Sequence, residues 1–194
     1  MVASMAWTKH RLQRLSRQIR RFARGRGGST AVEFAMIALP FFALLIGIFE
    51  IGMIFLVSTT LEDSTNKAAR EIRTGTLQTG ATTETAQLFA NKICSGEMSW
   101  LGLQCAANLE VDVRTFSQFQ SVSQASPVVN GALQPQNQLM FQMGGPGDIV
   151  LVRTYYPWKL IAPLLDGLTA QTSGGQTLIT ATATFRNEPY PVAP

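Results

Sequence analysis

The chain has 194 residues, 46% of them hydrophobic, and a formal charge of +4. That length suits one ordinary domain plus an anchor. The charge is segregated: Lys9, Arg11, Arg14, Arg17, Arg20, Arg21, Arg24 and Arg26 all precede the first acid, Glu33. Everything after the leader carries eight Lys/Arg against twelve Asp/Glu, a balance of −4. Basic charge on the folded body is what nucleic-acid binding requires, so this distribution argues against nucleic acid as a partner.

Within the leader, Leu12, Leu15, Ile19 and Phe22 recur at three- and four-residue steps among the arginines. Residues 9–24 therefore fit either a basic amphipathic helix lying on an anionic membrane face or a disordered basic tail that only sets topology. Gly25, Gly27 and Gly28 break that helix, and the glycine pair offers a protease an unstructured strand to grip. An apolar run over 35–57 follows, interrupted only by Pro40 and Glu50. As a helix it reaches about 34 Å at about 1.5 Å per residue, enough to span a hydrocarbon core of about 30 Å. The basic leader puts the N-terminus in the cytoplasm and residues from about 60 onward outside.

The helix is expected to start near Ser29 or Thr30 and to continue beyond the membrane, giving one element over 29–75 whose membrane half is 35–57. Leu61, Thr65, Ala68 and Ile72 share a face, Asp63 and Lys67 form an acid-before-base pair, and Arg70 and Arg73 suit a helix end that Gly75 can close. Residues 76–194 then make a periplasmic α+β domain. Residues 83–93 read as a second helix with Ala86, Leu88, Phe89, Ala90 and Ile93 as its apolar content. Three strands follow. Leu109, Val111 and Val113 alternate with Glu110, Asp112 and Arg114; residues 148–156 are rich in Ile, Val, Leu and Tyr; residues 177–185 alternate threonine with apolar side chains. The fold class is α+β, with the long N-terminal transmembrane helix packed on a small antiparallel sheet of about three strands. Residues 158–165 suit a short helix or covering loop, and 117–147, rich in Gln, Ser, Asn, Gly and Pro, a long exposed excursion.

Cys94 and Cys105 both fall in the exported part. An even count in an oxidising compartment favours a disulfide, and closing so short a loop contributes about 2–3 kcal/mol; two unpaired thiols are the alternative. Their spacing fits no zinc pattern and the sole histidine, His10, lies in the leader, so neither a metal nor another cofactor is expected.

Gly28, then four residues, then Glu33-Phe34 resembles the processing site of Tad-type (type IVb, Flp-like) prepilins, in which the apolar segment follows the cut. A secretory signal has the opposite order. The segment from Gly28 to Arg73 is also similar to the TadE-like domain, through Ala31-Val32-Glu33-Phe34-Ala35, Leu39-Pro40, Gly47-Ile48-Phe49-Glu50-Ile51-Gly52 and Ala68-Ala69-Arg70-Glu71. Tyr155-Tyr156-Pro157-Trp158 and Phe185-Arg186-Asn187-Glu188-Pro189-Tyr190 look like the tails of TadE proteins. The resemblance implies a minor pseudopilin of the tight-adherence pilus, anchored in a bacterial inner membrane and cut between Gly28 and Ser29 by an aspartic prepilin peptidase. Its implied partners are that peptidase, other Tad pseudopilins, the major pilin, inner-membrane platform proteins and membrane lipid. The 28-residue leader is long for a prepilin, a departure that initiation at Met5 would reduce.

A carboxylate at the doorway of a span is costly and needs a reason. After cutting, Ser29 carries a free ammonium and Glu33 is the fifth residue. Pairing one subunit's ammonium with the next subunit's Glu33 is far cheaper than isolating either charge, and fixes axial register; a headgroup or helix-dipole role is the alternative. Phe34 shares this assembly segment. Glu50, about 25 Å further along the helix, reads either as an interfacial carboxylate reaching water or as a buried partner contact, with Gly47 and Gly52 allowing close helix approach. Pro40 removes one helical hydrogen bond and marks a kink or an ordinary tolerated proline.

No catalytic constellation emerges. Glu110 and Asp112 share a strand face and read as solvated, and Asn187-Glu188 as a subunit contact. Two other classes compete with the assembly subunit: an uncleaved, signal-anchored periplasmic module that binds through 117–147, and, more weakly, a membrane-bound hydrolase, which requires an acid-lined cleft.

Overall fold

The computed structural model describes residues 27–80, 84–102, 104–122, 126–160 and 170–191. The expected leader helix over 9–24 and most of the 158–165 segment lie outside them. The chain divides into two compact units, Met1–Ile46 and Gly47–Pro194. Helix α1, Gly27–Arg73, contributes residues to both.

In the first unit the described residues, 27–46, all belong to α1, and Pro40 sits inside it. Its described part opens at Gly27, so Gly27 and Gly28 are helical and not an unstructured strand.

The second unit holds the rest of α1, α2 (Ala86–Ser95), α3 (Gln104–Asn108) and five strands: β1 (Glu110–Phe116), β2 (Val128–Val129), β3 (Ala132–Leu133), β4 (Ile149–Lys159) and β5 (Gln176–Arg186). The main sheet is antiparallel in the order β1-β4-β5, and β2-β3 is a separate hairpin. One face of the sheet presents Val111, Val113, Val150, Val152, Ile179 and Ala181 to the stripe Val57, Leu61, Ala68, Ala69 and Ile72 of α1. These α1 positions recur at three and four residues, so a single helical face is spent on the sheet. Each fully buried Leu or Ile contributes about 1.5–3 kcal/mol. The one polar pair at this contact satisfies itself: the Thr65 and Thr154 hydroxyls lie 2.8 Å apart.

The end of α1 follows from Gly75. Its φ of +78° is a left-handed conformation, and the bonds from Gly75 N to Ile72 O and from Thr76 N to Glu71 O close the last turn. This is the paired cap that glycine favours. A side chain is excluded here as well, because a Cβ would lie 2.2 Å from the Tyr190 ring.

Thr85 caps α2 by accepting from Leu88 N, so the helix starts there rather than at 83. A disulfide joins Cys94 at its end to Cys105 in α3. Strand β4 runs to Lys159, placing Trp158 and Lys159 in the sheet and not in a helix or loop. It passes through Pro157 because β1 pairs only as far as Tyr155, so no ladder partner on that side needs the missing N–H.

The 117–147 segment is anchored rather than a free excursion. Gln136 donates to Val111 O and its side-chain oxygen accepts from Val111 N, both at 2.7 Å. Val113 N donates to Met140 O and Gln142 N to Val113 O. A polar side chain and a bridging backbone thus satisfy the outer edge of β1, which would otherwise invite pairing with another chain. Phe141 packs on Phe89, with ring centroids 5.8 Å apart.

The sheet's other face holds Asp112, Arg114, Leu151, Arg153 and Tyr155. Tyr155 is buried, and its hydroxyl has no hydrogen-bond partner among the described residues. Burial pushes its pKa up to about 12, and burial also raises those of Tyr156 and Tyr190. These are all three tyrosines of the chain. The fold therefore holds their neutral forms while an unfolded chain ionises near 10, so stability must fall as pH rises from about 10 toward 12. An alkaline titration followed by tyrosinate absorbance is expected to show little ionisation at pH 10 until unfolding releases it. Ordinary titration of all three near 10 in the folded protein would contradict this packing.

Candidate functional site

The first candidate is the N-terminal stretch of α1. Gly28 is exposed, and a Cβ built there meets nothing within 4 Å. The fold of this chain therefore does not require glycine at position 28. Glu33 and Phe34 are exposed too, Phe34 by 69%. Around them Val32, Met36, Ile37, Leu39, Phe41 and Phe42 are more than half exposed. The most apolar stretch of the helix has a mean hydropathy of 2.4 and is only 11% buried, whereas a core helix of similar composition would be covered. Uncovered apolar surface of this extent calls for lipid or protein around it. The helix is long and apolar enough to cross a membrane and suits an anchor.

The second candidate is the part of α1 that begins the larger unit. Glu50 is buried, with 1% exposure, which overturns the reading of a carboxylate reaching water. It stands about two turns before Val57, at the head of the same stripe that continues through Val57 and Leu61, on the face that the chain itself covers. Sequence reasoning ran the span on to residue 57, set Glu50 near its outer boundary, and did not see that the chain's own coverage extends this far. Gly47 and Gly52 leave open space, with nothing within 4 Å of a Cβ at either. Small residues with free space beside them are where a second helix can approach closely.

The third cluster lies in the sheet and was misread from sequence. Asp112 is fully buried, not solvated. It stands opposite Arg153 in the ladder and is ion-paired with it. It also accepts from Arg114 Nε at 3.0 Å and from Met140 N at 3.1 Å. The Arg153 guanidinium lies over the Tyr155 ring, 5.7 Å from its centroid. The nearby Glu110 is partly buried, and burial raises its carboxyl pKa. The signal available in the sequence was one acid in an apolar strand and one arginine in another, which become partners only when the register is known.

Asn187 and Glu188 are likewise used within the chain. Asn187 Nδ2 donates to Met143 O at 2.9 Å and to Gly145 O at 3.0 Å. Glu188 pairs with Arg73 at 2.9 Å, and its N–H donates to Arg73 O. They tie the C-terminal segment to the end of α1. A cleft beside α1 is lined by Ser64, Lys67, Glu71, Lys92 and Glu97, but Lys92 holds Glu71 and Lys67 holds Glu97. Among the described residues, no group of three or more His, Cys, Asp or Glu side chains is placed to hold a metal ion.

Residues 28–70 match the family model of TadE-like proteins. The match opens on Gly28, takes in Glu33, Gly47, Glu50 and Gly52, and ends three residues short of the end of α1. No curated protein and no solved structure matches the chain. The matched segment comprises the apolar stretch of α1 together with the stripe that packs on the sheet, and the similarity suggests involvement in Tad pilus systems.

Proposed function

We propose that the chain is a minor pseudopilin of the Tad pilus, inserted with its leader in the cytoplasm and its α+β domain in the periplasm. A prepilin peptidase cuts it between Gly28 and Ser29, and the shortened helix then carries it into an assembly of pseudopilins, major pilin and platform proteins. Glu33 and Phe34 set its register there, and Gly47 and Gly52 give neighbouring helices room. The observation that carries this reading is the TadE-like match beginning at Gly28, a glycine that nothing in this chain's own packing requires. A residue type not demanded by the fold is explained by an external partner, and a peptidase that grips the backbone supplies one. Gly28 is helical, so the peptidase must unwind α1 locally around the cut.

Gly28→Val tests this. The substitution is sterically free in the folded chain, so the variant is expected to insert normally but to keep its leader when coexpressed with the peptidase. Cleavage at the wild-type rate would remove the role assigned to Gly28.

A further inference from the structure

The geometry points to Trp100 as a membrane-surface anchor of the larger unit, seated in the headgroup region where α1 leaves the lipid. This rests on the reading of 35–57 as the span. A 3-10 helix, Glu97–Leu101, lies between α2 and α3, and the Cys94–Cys105 disulfide closes the loop that contains it. Its consecutive residues touch α1 at successively lower levels. Glu97 pairs with Lys67, and the Met98 sulfur accepts from the Thr60 hydroxyl at 3.2 Å. Lys67 and Thr60 are two helical turns apart, about 10 Å along the axis. These two contacts place the 3-10 helix beside residues 60–67 of α1, whose nearer end, Thr60, is only about 5 Å beyond Val57, the expected end of the span. Two residues past Met98 comes Trp100, which remains 45% exposed, whereas Met98 is buried and Leu101 packs against the core.

A large apolar ring left uncovered at this level has lipid headgroups and the upper acyl chains as its natural surroundings. Indole suits that zone, with an apolar body and one N–H donor for carbonyl or phosphate oxygens. The disulfide and the two α1 contacts hold the loop, so little further ordering is needed when the ring enters the interface. Such a contact adds a second point of attachment beside the span and fixes how the folded unit leans on the membrane.

The test uses the full chain in phosphatidylcholine vesicles with acyl chains brominated near the glycerol backbone. Wild type is compared with Trp100→Phe, which alters an exposed ring and spares the core. The difference between the two emission spectra isolates Trp100. The expected result is a blue-shifted difference spectrum, quenched about twofold by the brominated lipid. An unshifted and unquenched difference spectrum overturns the inference. A Phe41→Trp variant places a reporter within the span: its quenching without that of Trp100 refutes the surface contact alone, and failure of both refutes the membrane span beneath it.

Discussion

Asp112→Ala is expected to destabilise the larger unit by about 3–5 kcal/mol, a range typical when one partner of a buried ion pair is removed. Three donors converge on the Asp112 carboxylate: Arg153, Arg114 and the Met140 backbone N–H. Arg153 is itself 4% exposed, and removing the carboxylate takes away a charge that helps to offset the desolvation of its guanidinium. The loss also leaves the Met140 N–H without its acceptor, beside the cover over the edge of β1. Asp112→Asn keeps the shape and one acceptor oxygen and should cost less than the alanine. Urea unfolding of the detergent-solubilised chain, followed by circular dichroism, measures both. A change below about 1 kcal/mol for Asp112→Ala would mean that the pair does not organise this face.

Glu33→Ala is expected to leave processing and folding intact and to abolish co-purification with pilus proteins. Glu33 is exposed and lies in the unit whose described residues are helix alone, so its removal does not touch the sheet core. In the proposed assembly its carboxylate meets the Ser29 ammonium of a neighbour inside a medium that screens poorly, where an unpaired charge is costly. Glu33→Asp keeps the charge but shortens its reach and should restore part of the yield. Undiminished recovery of Glu33→Ala with its partners would show that register is set elsewhere.

The long helix and the three-stranded sheet were legible because both leave periodic traces. Leu61, Thr65, Ala68 and Ile72 repeat at helical spacing, and Val111 and Val113, like the residues of β5, alternate at strand spacing. The face used by α1 follows from such patterns once hydrophobic surfaces are matched, whereas the strand order β1-β4-β5 does not. What escaped depends on contacts between distant positions. Alternation placed Asp112 on the face opposite the valines, and a face opposite the core reads as solvent; here Met140 and the arginines cover it. Gln136 looked like one more polar loop residue, but its amide reproduces the pairing of a missing strand. Composition alone cannot distinguish a glutamine in water from one bonded to a sheet edge.

Glu50 escaped for a related reason. Hydropathy assigns it to the lipid–water boundary, while its burial comes from the chain's own covering of one helical face. The open glycines are the reverse case. The space at Gly28, Gly47 and Gly52 is visible only in the folded chain, while the sequence showed only that small residues stand at these positions.

The intact mass of the protein extracted from membranes of cells that also make the Tad prepilin peptidase bears most directly on the assembly role. The account predicts a single species beginning at Ser29, with the eight-cation leader gone. A species that retains the leader throughout would leave Glu33 without its ammonium partner and would contradict the proposal.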